Sequence, residues 1–409
     1  MDSIVQSRIK RINDWFSDVG SQDLLFLGVL TGGHLVVHWY TNLLSLTLPF
    51  IKADLDLSDV QVGTIITAQM AVGSGLIIII GLLADSFRNK GSIIVCSSII
   101  SYGLGFFLIG VSSSYTWTLT GAALVGLGSA LWHPTAMGAL SIRFPNHRGM
   151  ALSVHGVGAS IGDALGPVIV GAVILTVDWK LTLELHLIPA VLIAILIFFG
   201  FGMIQEVKNI KTNLGVYVSS IRTMFVYPQT LAVMISNTLI TMGRLSVLAF
   251  FPIYIIETLQ YSTFALGIYL GLLYVMGIVS QPVMGILSDR VGRKTVLLPS
   301  FVTMGFLYMG IVMASAGLLL GLVIGVLGMF FYPILNITQT AIMDVAPGRV
   351  QSSTMGVMSL FGQPFVLVSP VLAGYLVTQF GINSAFLYAG FTALLAGTIL
   401  VPIRFRRMF

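Results

Sequence analysis

Apolar residues run in long blocks along this chain, and polar residues gather in short breaks between them. The blocks cover about residues 24–50, 60–83, 91–111, 117–143, 149–177, 181–204, 226–257, 262–287, 294–314, 316–343, 352–379 and 384–403. Each reaches the roughly 20 residues that a helix needs to cross a bilayer. Within them the apolar positions are continuous rather than alternating, as from Gly75 to Leu83, which favours helices over the strands of a barrel. The pattern predicts an all-α integral membrane protein with twelve transmembrane helices. Around them lie an N-terminal segment (1–23), a central linker (205–225) and a short tail (404–409), separating an N-terminal bundle (24–204) from a C-terminal one (226–403).

Composition sharpens this picture. Of 409 residues only 9% are charged and 56% are hydrophobic, too few polar groups to cover a water-facing surface. Charge location then sets orientation. Of the twenty Lys and Arg, all but Lys52, Lys180 and Arg244 fall in the tails and in alternate loops on one side. The positive-inside rule makes that side, with both termini, cytoplasmic, and puts the protein in the cell membrane. The net charge of +5 is thus a topology signal, and no nucleic-acid partner is expected. Residues 1–23 carry no cleavable signal, but Val5, Ile9, Ile12 and Phe16 share one face of a possible interfacial helix. Cys96 stands alone, which excludes an intrachain disulfide and a Cys-based metal site.

The chain also repeats itself. Gly81-Leu-Leu-Ala-Asp85-Ser-Phe-Arg88-Asn-Lys90 returns 204 residues later as Gly285-Ile-Leu-Ser-Asp289-Arg290-Val-Gly292-Arg293-Lys294. Gly166-Pro167 through Gly171 matches Ser369-Pro370 through Gly374, and Pro49 matches Pro252, both at an offset of 203. Leu127-Gly128 before Trp132-His133-Pro134 resembles Leu327-Gly328 before Tyr332-Pro333. Two equivalent six-helix halves follow, an arrangement in which secondary transporters hold substrate between repeats near the bilayer midplane.

The Gly-x-Leu-x-Asp-Arg-x-Gly-Arg-Lys loop between the second and third helices of each half resembles the signature of the major facilitator superfamily. Its second copy is complete, whereas the first has Ser86, Arg88 and Asn89 in place of Arg, Gly and Arg. The resemblance implies a major facilitator fold and a cytoplasmic gate made from Gly81, Asp85, Arg88 and Arg143 in one half and Gly285, Asp289, Arg290 and Arg293 in the other. Asp85 would accept from Arg143 or the start of helix eleven, and Asp289 would do the same in its half. The loop glycines would permit close helix approach.

Polar residues inside the apolar blocks are costly, roughly 2.5–3.5 kcal/mol for a charge at the centre of a helix, and usually face a cavity. Asp163 and Arg244 are the charged cases, joined by His34, His38, His133 and His155. At 1.5 Å per residue, His34 and His133 lie roughly 15 Å deep, His38 and Asp163 roughly 21 Å and Arg244 roughly 24 Å, with His155 nearer the cytoplasm. His34, His38 and Thr41 share one helix face, and the repeat carries them onto Asn237, Thr241 and Arg244. Tyr332, close to the repeat position of His133, and Asn336 complete the expected substrate and proton cavity.

Asp163 lies in Gly158-x3-Gly162-Asp163-x2-Gly166-Pro167-x3-Gly171, similar to the helix-five motif of drug:proton antiporters, and Trp132-His133-Pro134 is similar to a segment of fosmidomycin-resistance-like exporters. Asp163 is the expected proton carrier, with His38 or His133 as alternatives because imidazole titrates near neutral pH. Arg244 is either an anchor for an anionic substrate or the partner of an acid such as Asp163. His34 and His38 have the i, i+4 spacing of metal ligands, yet no acidic residue stands near them on that helix, so no metal site is expected.

Residues 292–295 do not form a Walker A loop, because Arg293 interrupts it, so no cofactor is expected and an ion gradient supplies the energy. The expected function is a monomeric, non-enzymatic secondary transporter exporting a small organic solute against protons. Proton-linked uptake of an organic anion is the alternative within transport, and a non-transporting sensor of the same fold is the minor one.

Overall fold

The computed structural model describes residues 20–145, 147–201, 228–345 and 361–403. The N-terminal segment, the central linker, the tail and the start of the eleventh block, up to residue 360, lie outside the described residues, as do the side chains of Asp85 and Arg88.

Twelve helical spans follow in order. The first half has α1 (Ser21–Asp54), α2 (Asp59–Ser86), α3 (Gly91–Val111), α4 (Tyr115–Arg143), α5 (Arg148–Val173) and a split sixth span, α6a (Trp179–Leu185) and α6b (Leu187–Phe201). The second has α7 (Pro228–Ile253), α8 (Thr263–Val291), α9 (Arg293–Met313), α10a (Leu318–Phe331) with α10b (Pro333–Val345), α11 (Gln363–Phe380) and α12 (Asn383–Leu400). No strand occurs among the described residues. In lipid a helix satisfies its own backbone groups, so apolar sequence of this length has this outcome.

Two expected spans are interrupted. The sixth breaks at His186, whose Nδ1 bonds the Thr182 carbonyl at 2.6 Å and whose backbone carbonyl accepts from the Tyr40 hydroxyl. The tenth breaks at Tyr332, where Pro333 has no N–H to continue the ladder. The seventh ends in a π-turn over Tyr254–Thr258.

Small residues set the packing. On α5, a methyl group at Gly158 would overlap the Thr31 carbonyl of α1, and one at Gly162 the Leu35 carbonyl. The stripe Gly158, Gly162, Gly166 therefore lays α5 backbone to backbone along α1. The same logic joins the halves. Gly171 of α5 meets Thr263 of α8, while Gly267 of α8 meets Pro167. Gly63 of α2 meets Pro370 of α11, and Gly374 of α11 meets Asp59. Thr67 adds a hydrogen bond to the Leu367 carbonyl at 2.8 Å.

All these seams lie toward one end of the molecule, the end away from the basic loops. Lys52 reinforces it, pairing with Asp59 at 2.9 Å in its own half and with Glu257 of the other half at 3.0 Å. Toward the basic end, among the described residues, Gly75, Gly138, Gly156 and Gly285 have no atom within 4 Å of where a side chain would begin, and Leu82 and Phe87 are exposed.

At the first glycine of each signature loop no close approach occurs among the described residues: Gly285 has no atom within 4 Å and Gly81 has Pro134 at 3.8 Å, while the start of the eleventh block lies outside them. A different glycine carries the turn: Gly292, at φ +97°, ends α8 in a backbone conformation that other residues rarely adopt. The first copy has Arg88 there and makes the turn with a short 3₁₀ segment, Arg88–Lys90, instead.

Candidate functional site

The polar residues of α1 and α5 meet because the glycine stripe brings their backbones together. His38 and Asp163 face each other across that seam, with Nδ1 to Oδ1 at 3.0 Å. Asn42, one turn beyond His38, donates to the same carboxylate oxygen at 2.7 Å. Its side-chain carbonyl accepts from the hydroxyl of Tyr274, on α8 in the other half, at 2.6 Å. The ring of Tyr274 lies 5.6 Å from that of Tyr332. Tyr332 and Phe331 in turn cover the guanidinium of Arg244, at 5.0 and 4.2 Å from the ring centroids. A continuous polar and aromatic chain thus runs from His38 and Asp163 in one half to Arg244 in the other.

The histidines form a second group. His34 lies 4.7 Å from His38 and 5.6 Å from His133, and stacks on His155 at 4.0 Å. His155, expected nearer the cytoplasm, is part of this group. It stands within about two turns of the start of α5, beside His34, the α1 histidine nearest that helix's start. His34, His38 and His133 hold their Nδ1 atoms on the His155 carbonyl, Asp163 and the Ser129 carbonyl, each at 3.0 Å. One ring nitrogen from each of these three lies within 4.8 Å of the others, a spacing that can hold a metal ion. The expectation against a metal rested on α1 alone. Neither the arrival of His133 from α4 nor that of Asp163 from α5 is visible in the spacing along one helix.

Beside this chain is a cavity of about 330 Å³ between the halves, lined by Thr41, Asn42, Ser45, Gln69, Met70, Ser74, Ser129, Leu245 and Leu248. It meets the predicted stripe at Thr41 and touches the ionisable chain through Asn42.

The matching stripe on α7 is organised differently. Thr241 bonds the Asn237 backbone carbonyl of its own helix at 2.7 Å, and the Asn237 side chain accepts from Thr338 of α10b at 2.9 Å, so neither bond meets the histidine group. Asn336 is exposed, and its backbone carbonyl accepts from Thr340 at 2.8 Å. Arg244 is only 8% exposed, forms no ion pair among the described residues, and has a buried Nε without a partner. Its alternative role as the partner of Asp163 is not seen: His38 and Asn42 occupy that carboxylate.

In the expected gate, Arg143 pairs with Asp23 at the start of α1, at 2.6 Å. Asp289, expected to reach a neighbouring helix of its half, pairs instead with Arg293 four residues on, because the turn at Gly292 folds α9 back beside it. Arg293 also donates to Ser288 at 2.9 Å, and Arg290 is exposed.

Sequence reasoning missed Asn42 and Tyr274. Asn42 had a signal, standing four residues after His38 on the same face. Tyr274 had none, since a tyrosine in an apolar helix reads as core.

Two packed six-helix halves, joined by glycine seams and by a polar chain at their centre, make up the architecture. The Major Facilitator Superfamily matches residues 30–364 and, in a second match, 233–408. The chain belongs to that superfamily and is a multi-pass membrane transporter of small molecules. It is 25% identical over 389 residues to the hexuronate transporter of Bacillus subtilis (strain 168), covering 89% of this chain and 90% of that one. It is 26% identical over 148 residues to the fosmidomycin resistance protein of Escherichia coli (strain K12), covering 36% of each. Among solved structures a nucleoside transporter superposes with a TM-score of 0.78 at 13% identity, covering 93% of this chain and all of that one.

Proposed function

We propose that this chain is a proton-coupled secondary transporter that moves a small organic solute by alternating access, in the direction of export. The observation that carries the reading is the hydrogen-bond chain His38–Asp163–Asn42–Tyr274, because it ties a carboxylate in one half to the other half at the cavity wall.

Ionised Asp163 accepts from both His38 and Asn42. Both bonds end on Oδ1, so a proton on the other oxygen cancels the charge and makes Oδ1 a weaker acceptor for Asn42. Asn42 then loses its orientation, and with it the acceptor it offers to Tyr274. Proton uptake at one site therefore weakens a contact between halves, the link an alternating-access cycle needs. The positive-inside bias makes the basic end cytoplasmic, so the conformation described here faces inward.

Export draws on the glycine pattern around Asp163, similar to that of drug:proton antiporters. Uptake is the second reading, and the likeness to a hexuronate transporter over 90% of its length favours it. Reconstitution into liposomes with an internal pH dye tests both. An outward solute gradient moves protons inward in antiport and outward in symport. Coupling is refuted if Asp163→Asn carries solute with unchanged proton flux.

A further inference from the structure

We infer that the substrate is an oxyanion, a carboxylate or phosphonate, and that Arg244 is its anchor, with Tyr308 as a second donor. This rests on the transporter reading above and adds the chemical class of what is carried.

A guanidinium cannot shed its proton, so its burial is tolerated only when paired or hydrogen-bonded. Arg244 has neither compensation in full. It is 8% exposed, no acid lies within ion-pair distance among the described residues, and its Nε is buried without an acceptor. The rings of Phe331 and Tyr332 offer cation–π attraction, which holds the charge but accepts none of its N–H groups in a hydrogen bond. Asp163, the other intramembrane charge singled out, is occupied by His38 and Asn42.

The hydroxyl of Tyr308, on α9, is also buried without a partner and lies within electrostatic reach of Arg244. Two unsatisfied donors, one of them cationic, therefore share a region backed by aromatic rings. The next residue along α7, Leu245, lines the cavity, which puts the Arg244 turn of that helix at the cavity's level. An oxyanion is the ligand that completes both: guanidinium and carboxylate or phosphonate match in charge and in fork geometry, and a phenol donates to the same oxygens. A neutral or cationic solute would leave Arg244 as unpaired as it is now.

Two experiments test this. The first needs no ligand. Arg244→Gln removes a buried unpaired charge and leaves a shorter, neutral polar side chain, so the thermal midpoint of the purified protein should rise. A fall would mean that the arginine holds the fold together, and would overturn the assignment. The second screens thermal stabilisation by benzoate, phenylphosphonate, acetate and methylphosphonate, with benzamide, benzyl alcohol and benzylamine as neutral and cationic counterparts. Stabilisation should be confined to oxyanions. Binding should weaken roughly tenfold or more in Arg244→Gln and roughly two- to tenfold in Tyr308→Phe. If no oxyanion binds, if the neutral or cationic compounds bind equally, or if both variants bind normally, the inference is wrong. Failure of the proton reading looks different. Arg244-dependent anion binding without proton flux sinks coupling alone, whereas proton-driven movement of a neutral solute through Arg244→Gln sinks only the anion.

Discussion

Helices α1 and α7 occupy equivalent places in the two halves, and the same three positions on each are polar. On α1 they are His34, His38 and Thr41, and on α7 Asn237, Thr241 and Arg244. The first helix gathers imidazoles around a carboxylate from α5. The second spends Asn237 on helix joining, turns Thr241 back on its own backbone and leaves a guanidinium on aromatic rings. Duplication supplied two copies of one frame, and divergence gave one copy groups that exchange protons and the other a group that cannot. Asn42 and Tyr274 connect them.

Four measurements would break or sharpen this contrast. The largest effect is expected from Asp163→Asn, which should abolish proton movement in liposomes while leaving the thermal midpoint near that of the parent. Arg244→Gln should lower proton movement only through weaker solute binding and recover it at saturating solute; a loss that persists there would make the division between halves wrong. Next is Gly162→Ala, which forces a methyl group against the Leu35 carbonyl. Overpacking there should cost about 1–3 kcal/mol, read by thermal unfolding in detergent. The equivalent change at Gly285, where space is open, should leave stability unchanged. Third, Tyr274→Phe removes one interhelical hydrogen bond. Such bonds average about 0.6 kcal/mol within a membrane. Stability should barely move, while proton-driven transport slows and solute affinity holds. Equal losses in rate and affinity would place Tyr274 in the binding site rather than in the link. The smallest effect is expected from Lys52→Ala, which deletes an exposed pair worth about 0.2–1 kcal/mol. Labelling of a cysteine placed at Val371 should rise modestly as the sealed end opens more often. Unchanged labelling would show that the glycine seams alone keep it shut.

Much of the fold was legible because lipid imposes one rule: an apolar run of sufficient length becomes a helix. The breaks at His186 and Tyr332 were not, since each depends on partners or backbone chemistry local to a long apolar run. In the site, His38, Asp163 and Arg244 stood out as polar groups where lipid tolerates few. Their partners were obscured by what sequence leaves out, namely the rotation and offset of one helix against another. The stacking of His155 on His34 is one such contact, which depth along a helix does not disclose. The second signature loop contains Gly292, but its positive φ is a backbone feature that the spacing does not disclose, and the use of Asp289 depends on where Arg293 lands after that turn.

The seams of α5 with α8 and of α2 with α11 are backbone against backbone, with glycine on each side. Surfaces of that kind have few side chains to re-sort when they part, so separation is limited by lost contact area rather than by reshuffled rotamers. A membrane machine hinged on such bare faces can close again into the same register on every turnover, much as two planed boards meet the same way each time. Its fidelity would then reside in what those positions lack, and their first tolerated enlargement should appear as slippage between states before it appears as unfolding.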